Sequence, residues 1–341
     1  MTDLPFISII IPTLNSARTL NRCLKEIWIQ DYPKESVEVL ICDGGSCDGT
    51  RAIAQGYQAG QILENPLKTG EAGKALGLRN AKGDLVAFID SDNFVIGSDW
   101  LRRMVAPFQE DPEVVMSEPL YFHWDPLAPP ITRYCALMGM NDPLCYYTGN
   151  FDRWNVAAEK WTGIPISTHD EGDWVWFELG AEDRMPTLGA NGTIYRRKVL
   201  IELPLSNYLF DVDVPHLLVN QKPQRFAKVR CAILHWYCPT FPDFVRKQKR
   251  RICDYLSTKQ SRLRTGHQKS YSRSGTIRFI LATLLIFPCA KTSLQGFFKK
   301  RDVSWFLHWP LCLSTLVIYA ISWVHSFWVP VTVSRTDWQK S

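Results

Sequence analysis

Within the first 120 residues, short β-branched runs alternate with segments of helical period, and this alternation leaves the chain few folds to choose from. Phe6–Ile11, Val37–Cys42, Leu85–Ile89 and Val114–Met116 have the length and composition of strands. Between them, Ala17–Ile29 and Thr50–Gln58 repeat apolar residues at helical spacing, and Gly73–Lys82 is expected to be helical too. Strand–helix–strand order predicts an α/β fold, a mostly parallel sheet with helices on both faces. Ligands of such sheets bind beyond the C-terminal strand ends, so the residues after each strand carry the functional information.

Three polar clusters occupy those positions. Pro12-Thr13-Leu14-Asn15-Ser16 follows the first run, Cys42-Asp43-Gly44-Gly45-Ser46-Cys47-Asp48-Gly49-Thr50 the second, and Asp90-Ser91-Asp92-Asn93 the run Leu85–Ile89. The sheet would bring all three to one edge. Asp90 and Asp92 place two carboxylates two residues apart after an apolar strand, and hard cations such as Mg²⁺ or Mn²⁺ prefer carboxylate and phosphate oxygens. Asp43, beyond the neighbouring strand, suits a base or ribose hydroxyl, and Gly44-Gly45 lets backbone approach that ligand closely.

Phe6–Asn15 (FISIIIPTLN), Cys42–Thr50 (CDGGSCDGT) and Ala81–Asn93 (AKGDLVAFIDSDN) resemble glycosyltransferase family 2, inverting enzymes of GT-A fold. The resemblance covers about residues 5–120 closely and extends loosely to about 255. It implies that Asp43 contacts the nucleotide base, although Gly44 stands where the family usually has a second aspartate. Pro12 and Asn15 would lie along the nucleotide, with Lys74 in a region that often contacts it. Asp92 would be the direct metal ligand and Asp90 would serve ribose and metal, while Asn93 replaces a frequent third acid. Gly189-Ala190-Asn191-Gly192 resembles the glycine loop beneath the donor sugar, which makes Gly192 a nucleotide-sugar contact; Asn191-Gly192-Thr193 also reads as a glycosylation sequon.

Inversion needs a base that deprotonates the acceptor opposite the leaving diphosphate. The family supplies an aspartate after the glycine loop. Phe210-Asp211-Val212-Asp213 offers Asp211, favoured by the apolar spacing of Val212, Val214 and Leu218, or Asp213. His235 resembles the histidine that completes the metal sphere in some GT-A enzymes. Arg250 and Arg251 belong to an Arg246–Arg251 cluster on an amphipathic pattern of Phe241, Phe244, Val245, Ile252 and Tyr255; they suit a donor diphosphate, a lipid phosphate or a membrane surface. Residues 121–186 match no family motif, and their aromatics (Trp124, Tyr146, Tyr147, Trp154, Trp161, Trp174, Trp176) with the acids around His169 suggest an acceptor-binding insertion.

Charge is distributed unevenly. The chain has 39 Lys+Arg and 34 Asp+Glu, a net charge of +5, yet Arg246 to Arg278 holds eleven basic residues and Asp254 alone against them, so the remainder is 28 − 33 = −5. A mildly acidic body with one basic stretch is not the pattern of a nucleic-acid binder and suits an anionic membrane surface. Leu311 to Val329 has 19 residues without formal charge, about 28 Å as a helix, close to bilayer thickness. Ile277 to Ala290, about 21 Å by the same measure, is interrupted by Arg278 and suits a tilted span or an in-plane helix. The N-terminus MTDLPFISIIIP lacks signal-peptide features, and the catalytic body is expected on the cytoplasmic side of a cell membrane. The ten cysteines form neither a CxxC pair nor a zinc pattern and are expected to be reduced and mostly buried.

The chain thus divides into a GT-A domain at 1–255 (nucleotide half 1–120, acceptor half 121–255), a basic linker at 256–275 and membrane-associated helices at 276–333. The implied activity is metal-dependent transfer from a nucleotide-sugar, with Mg²⁺ or Mn²⁺, to a glycan or lipid-linked acceptor in envelope glycan or glycolipid synthesis. A polyprenyl-phosphate monoglycosyltransferase and a catalytically silent membrane adaptor are the alternatives.

Overall fold

The computed structural model describes residues 4–57, 61–205, 207–261 and 272–329. Ten strands form one mixed sheet. They are β1 (Ile7–Thr13), β2 (Val37–Asp43), β3 (Gln61–Glu64), β4 (Leu85–Phe88), β5 (Asn93–Val95), β6 (Val114–Phe122), β7 (His169–Asp170), β8 (Trp174–Leu179), β9 (Thr193–Arg196) and β10 (Gln224–His235). The order is β3-β2-β1-β4-β9-β6-β10-β8-β7, with β5 paired to β10. The β3-β2-β1-β4 half is parallel, as expected. β9 then runs antiparallel between β4 and β6, and β10 returns parallel to β6. Consequently β1, β2, β4, β6 and β10 all end at one edge.

β1 is buried along its whole length, and its side chains alternate between two cores. Ile7, Ile9 and Ile11 face one, with Leu20, Cys23, Leu24 and Ile27 of helix α1 (Ala17–Trp28). Ile10 faces the other, beneath helix α3 (Gly70–Asn80), which follows α2 (Thr50–Gly56). Helix α3 starts three residues earlier than its periodicity suggests, because the Thr69 hydroxyl caps it by accepting from Ala72 N at 3.2 Å. Helix α4 (Trp100–Glu110) covers β6 and β10. β6 continues six residues beyond the expected Met116, through Pro119, because β10 pairs with it up to Phe122.

The second half adds α5 (Pro130–Met138), α6 (Leu144–Thr148), α7 (Arg197–Ile201), α8 (Val214–Gln221) and α9 (Phe241–Ser261). Three C-terminal helices follow: α10 (Arg273–Leu285), α11 (Phe287–Lys299) and α12 (His308–His325). Phe244, Ile252 and Leu256 are buried along α9, as is the polar Gln248 on the same face, whereas Phe241 is exposed. The expected domain boundary at 255 falls inside this continuous helix, and much of the 256–275 linker lies outside the described residues.

The apolar stretch Ile277–Ala290 is not one helix. It bends by 90° between α10 and α11 at Ile286 (φ 62°), just before Pro288, whose ring cannot continue an earlier helix. Among the described residues Val303–His325 alone is long and apolar enough, as one helix, to cross a membrane; the bent pair passes only taken together. This helix starts before Leu311 and ends at His325, not Val329, and residues 330–333 lie outside the described set. Ile277, Leu281, Leu285, Phe287, Phe298 and Ile321 are exposed. The bundle nevertheless docks on the body: Asp302 Oδ2 accepts from Trp124 Nε1 at 2.7 Å and lies 3.2 Å from Arg133 Nε. All ten cysteines are unpaired, and seven are buried.

Candidate active site

The strand ends enclose a cavity of about 960 Å³. Pro12 near the end of β1 and Asn15 just beyond it form one wall. Asn15 takes a left-handed backbone (φ 51°) and ties two loops together, its N–H donating to Ser46 Oγ at 2.9 Å and its Oδ1 accepting from Cys47 N at 3.0 Å. Asp43 is fully buried and does not line the cavity. Its Oδ1 accepts from Thr13 Oγ1 (3.0 Å) and Ser46 Oγ (2.6 Å), and its Oδ2 from the N–H groups of Gly45 (3.2 Å) and Ser46 (3.0 Å). Asp43, expected at the nucleotide base, thus braces its own loop, and Arg51 Nη1 lies 3.5 Å from its Oδ2.

Asp90 and Asp92 face the cavity beyond β4. The β5–β10 ladder opposes Asn93 to His235, and Trp236 N donates to Asp92 O at 2.9 Å. That register brings His235 Nε2 to 3.7 Å from Asp92 Oδ2, while Asn141 Nδ2 is 3.2 Å from His235 Nδ1. Burial raises the Asp92 carboxyl, but His235 and Lys247 outweigh it and hold it well below the usual range. Two carboxylates and an imidazole share one cavity wall, and the carboxylates offer the oxygens that Mg²⁺ or Mn²⁺ prefer.

Lys74 is not a solvated helix residue. Gly73 and Gly77 let α3 lie directly on β1: a Cβ on Gly73 would come within 2.9 Å of Pro12, and one on Gly77 within 2.4 Å of Ile10. Lys74 Nζ thereby reaches 3.0 Å from Asp90 Oδ1 and 2.6 Å from Asp211 Oδ2. Burial works against its charge, yet Asp211 and Asp90 together keep the ammonium above its ordinary pKa. Asp90 itself is raised by burial, with Lys74 pulling against it.

Asp211 lines the cavity; Asp213 does not, being buried at the cap position of α8. Ala190 and Asn191 line the cavity, whereas Gly192 (φ 83°) turns the chain inward, where a Cβ would strike Ile233 at 2.4 Å. Thr193 of the sequon is fully buried. Arg250 and Arg251 are on the α9 wall, Arg251 Nη1 donating to Asn141 O at 3.3 Å and lying 3.5 Å from Asp142 Oδ2.

Lys247, of the Arg246–Arg251 cluster, lies 4.0 Å from Asp92 and donates to Tyr237 O. Several site residues escaped the sequence. Asn141, Asp142, Asn150 and Asp152 line the wall from the segment without motifs. The aromatics expected to bind acceptor there do not line the cavity. Trp161 and Trp174 are buried in the core, Trp154 and Trp176 pack against it, and Tyr146 and Tyr147 pack with the C-terminal bundle. The His169–Asp173 acids sit on an exposed hairpin, where Asp170 pairs with Arg230 at 2.6 Å.

The model of the family described as Glycosyl transferase family 2 matches residues 8–155. Glycosyltransferase AglE of Haloferax volcanii is 35% identical over 110 residues, 31% of this chain and 36% of that protein. A Methanococcus voltae protein, dolichyl N-acetyl-alpha-D-glucosaminyl phosphate 3-beta-D-2,3-diacetamido-2,3-dideoxy-beta-D-glucuronosyltransferase, is 36% identical over 110 residues, 30% of this chain and 34% of that protein. The chain therefore spans about a third of the length of these curated relatives. In fold it is similar to the mannosyltransferase PcManGT of Pyrobaculum calidifontis, solved with GDP-Man and Mn²⁺, at a TM-score of 0.54 and 15% identity over 94% of this chain and 87% of that one. Residues 8–155, at the head of a GT-A fold, are thus a glycosyltransferase family 2 domain.

Proposed function

We propose that the chain is an inverting, metal-dependent glycosyltransferase that moves a sugar from a nucleotide-sugar to a hydroxyl of a lipid-linked acceptor. The observation that carries this is the convergence of Asp90, Asp92, His235 and the Lys74–Asp211 pair in one cavity walled by the Pro12–Asn15 loop. Asp211 takes the proton of the acceptor hydroxyl; the freed oxygen bonds to the anomeric carbon as the bond to the diphosphate oxygen breaks, and that electron pair leaves with the nucleoside diphosphate. Lys74, paired with Asp211 at 2.6 Å, holds its carboxyl in place before the proton moves. Asp90, Asp92 and His235 would hold Mg²⁺ or Mn²⁺, which when bound offsets the charge developing on the leaving diphosphate.

A lipid-linked acceptor is favoured by Lys247, Arg250 and Arg251 on the cavity wall made by α9, which packs against the apolar α12. Phosphate oxygens there would meet three cations while the chain lies over exposed apolar helices. The Methanococcus relative, and the GalNAc(5)-diNAcBac-PP-undecaprenol beta-1,3-glucosyltransferase of Campylobacter jejuni (32% identical over 96 residues, 26% of this chain and 30% of that one), carry lipid-linked acceptors in their names. The basic Arg246–Arg278 stretch favours a catalytic body on the cytoplasmic face of the membrane.

Isothermal binding of nucleoside diphosphates with and without Mn²⁺ tests the donor half. One nucleotide should bind with metal and lose that dependence in Asp92→Ala; no binding to folded wild type would leave a silent membrane adaptor. With a donor identified, Asp211→Asn should slow transfer to lipid extracts about 10²- to 10⁴-fold. A tolerated Asp211→Asn would point instead to a polyprenyl phosphate as nucleophile, which needs no strong base.

A further inference from the structure

Four charged residues that the reaction above does not use, Glu118, Asp152, Arg153 and Lys228, form a buried cluster beneath the cavity wall. Glu118, Arg153 and Lys228 are fully buried. The β6–β10 register sets Glu118 against Lys228, whose ammonium contacts Glu118 Oε1 and donates to Asp152 O. Arg153 Nη1 lies 3.4 Å from Glu118 Oε2 and 3.6 Å from Asp152 Oδ2. Buried ion clusters of this kind seldom add stability over apolar residues of equal volume, so the fold alone does not account for it.

What the cluster holds is the 189–193 loop. Glu118 Oε2 accepts from Gly189 N at 3.1 Å and Thr193 Oγ1 at 3.4 Å. Arg153 Nη2 donates to Ala190 O at 2.7 Å and Asn191 O at 3.3 Å. The loop abuts the candidate base so tightly that a Cβ on Gly189 (φ 98°) would stand 2.2 Å from Asp211 O. A sugar whose anomeric carbon lies between Asp211 and the diphosphate must rest against this loop. Of the four charged residues, Asp152 alone reaches the cavity.

Resting on the nucleotide-sugar reading above, we infer that Asp152 recognises a hydroxyl of the donor sugar, and that Glu118, Arg153 and Lys228 are positioning residues holding its carboxyl and the 189–193 loop at a fixed separation. This sets the nucleotide and the sugar on independent supports. The nucleotide sits on the Pro12–Asn15 loop, and the sugar sits on the cluster.

The test is isothermal binding to the full chain, with Mn²⁺, of a panel pairing each nucleoside diphosphate with its sugar derivatives, UDP with UDP-GlcNAc and GDP with GDP-mannose among them. Asp152→Asn and Glu118→Gln should keep nucleoside diphosphate affinity within about twofold and lose about tenfold for the nucleotide-sugar, as one charge-assisted hydrogen bond warrants. A merely structural cluster would weaken both ligands alike. Asp152→Asn, isosteric and at the cavity surface, decides the matter where Glu118→Gln does not fold. Equal loss for both ligands, or none for either, in Asp152→Asn while wild type binds overturns this inference alone. Wild type that binds no nucleotide overturns the nucleotide-sugar reading and the inference with it.

Discussion

Lys74 stands between two carboxylates, 3.0 Å from one and 2.6 Å from the other, and nearly out of solvent. Lys74→Met strips both Asp90 and Asp211 of the cation that lies between them. The expected loss of stability is about 3 kcal/mol, the cost of stripping a partner from a buried pair, read by denaturant unfolding. Transfer should fall about 10²-fold, because a misplaced base costs that much even when present. Unchanged stability would mean that the lysine is not held between the two acids. Asp90 and Asp92 were legible in the chain as acids after an apolar strand. Asp43 was equally legible, but its oxygens turn inward, because the donors that claim them come from Thr13 and the Gly45-Ser46 backbone.

Helix α3 shows how an element delivers a residue. Its glycines at 73 and 77 face β1 one turn apart, and each removed side chain lowers the helix toward the strand. Gly77→Ala should therefore destabilise by about 1–3 kcal/mol through overpacking against Ile10, even though alanine is the better helix former. Urea unfolding of the variant measures this; a gain in stability would mean that α3 stands farther from β1. The periodic helices were legible because their apolar stripes are long. β9, with four residues between a glycine turn and α7, offers too little pattern to be read, yet it is the strand that joins the two halves of the sheet. The bend at Ile286 was hidden for another reason: hydropathy does not register a backbone reversal inside an apolar run.

Across the whole molecule, one buried lysine should be visible in the pH dependence of stability. Burial pushes the Lys228 ammonium down to about 8, with Glu118 pulling against it, from an ordinary value of 10.5. Above pH 8 the folded chain has released a proton that the unfolded chain keeps until about 10.4. The unfolded state then binds more protons, so this group makes stability rise with pH across that window and withdraws the gain as pH falls through 8. The difference in unfolding free energy between wild type and Lys228→Met, followed from pH 7 to 10, should climb in favour of wild type. A flat difference would mean that Lys228 titrates as an exposed lysine.

Local order alone determined the parallel half of the sheet, the polar strand ends and the acids at 90 and 92, because periodicity, turn chemistry and burial act over a few neighbouring residues. The choice of Asp211 over Asp213 rested on apolar spacing and agrees with which of the two lines the cavity. What only the tertiary structure decided lies between segments distant in the chain. Helix α3 carries Lys74 to Asp211, β6 and β10 bury Glu118 against Lys228, and the β5–β10 register supplies the approach of His235 to Asp92 that the family resemblance alone implied. Each of these pairs spans more than a hundred residues of sequence, and none follows from the residues flanking either partner, since opposite charges attract wherever packing leaves them together.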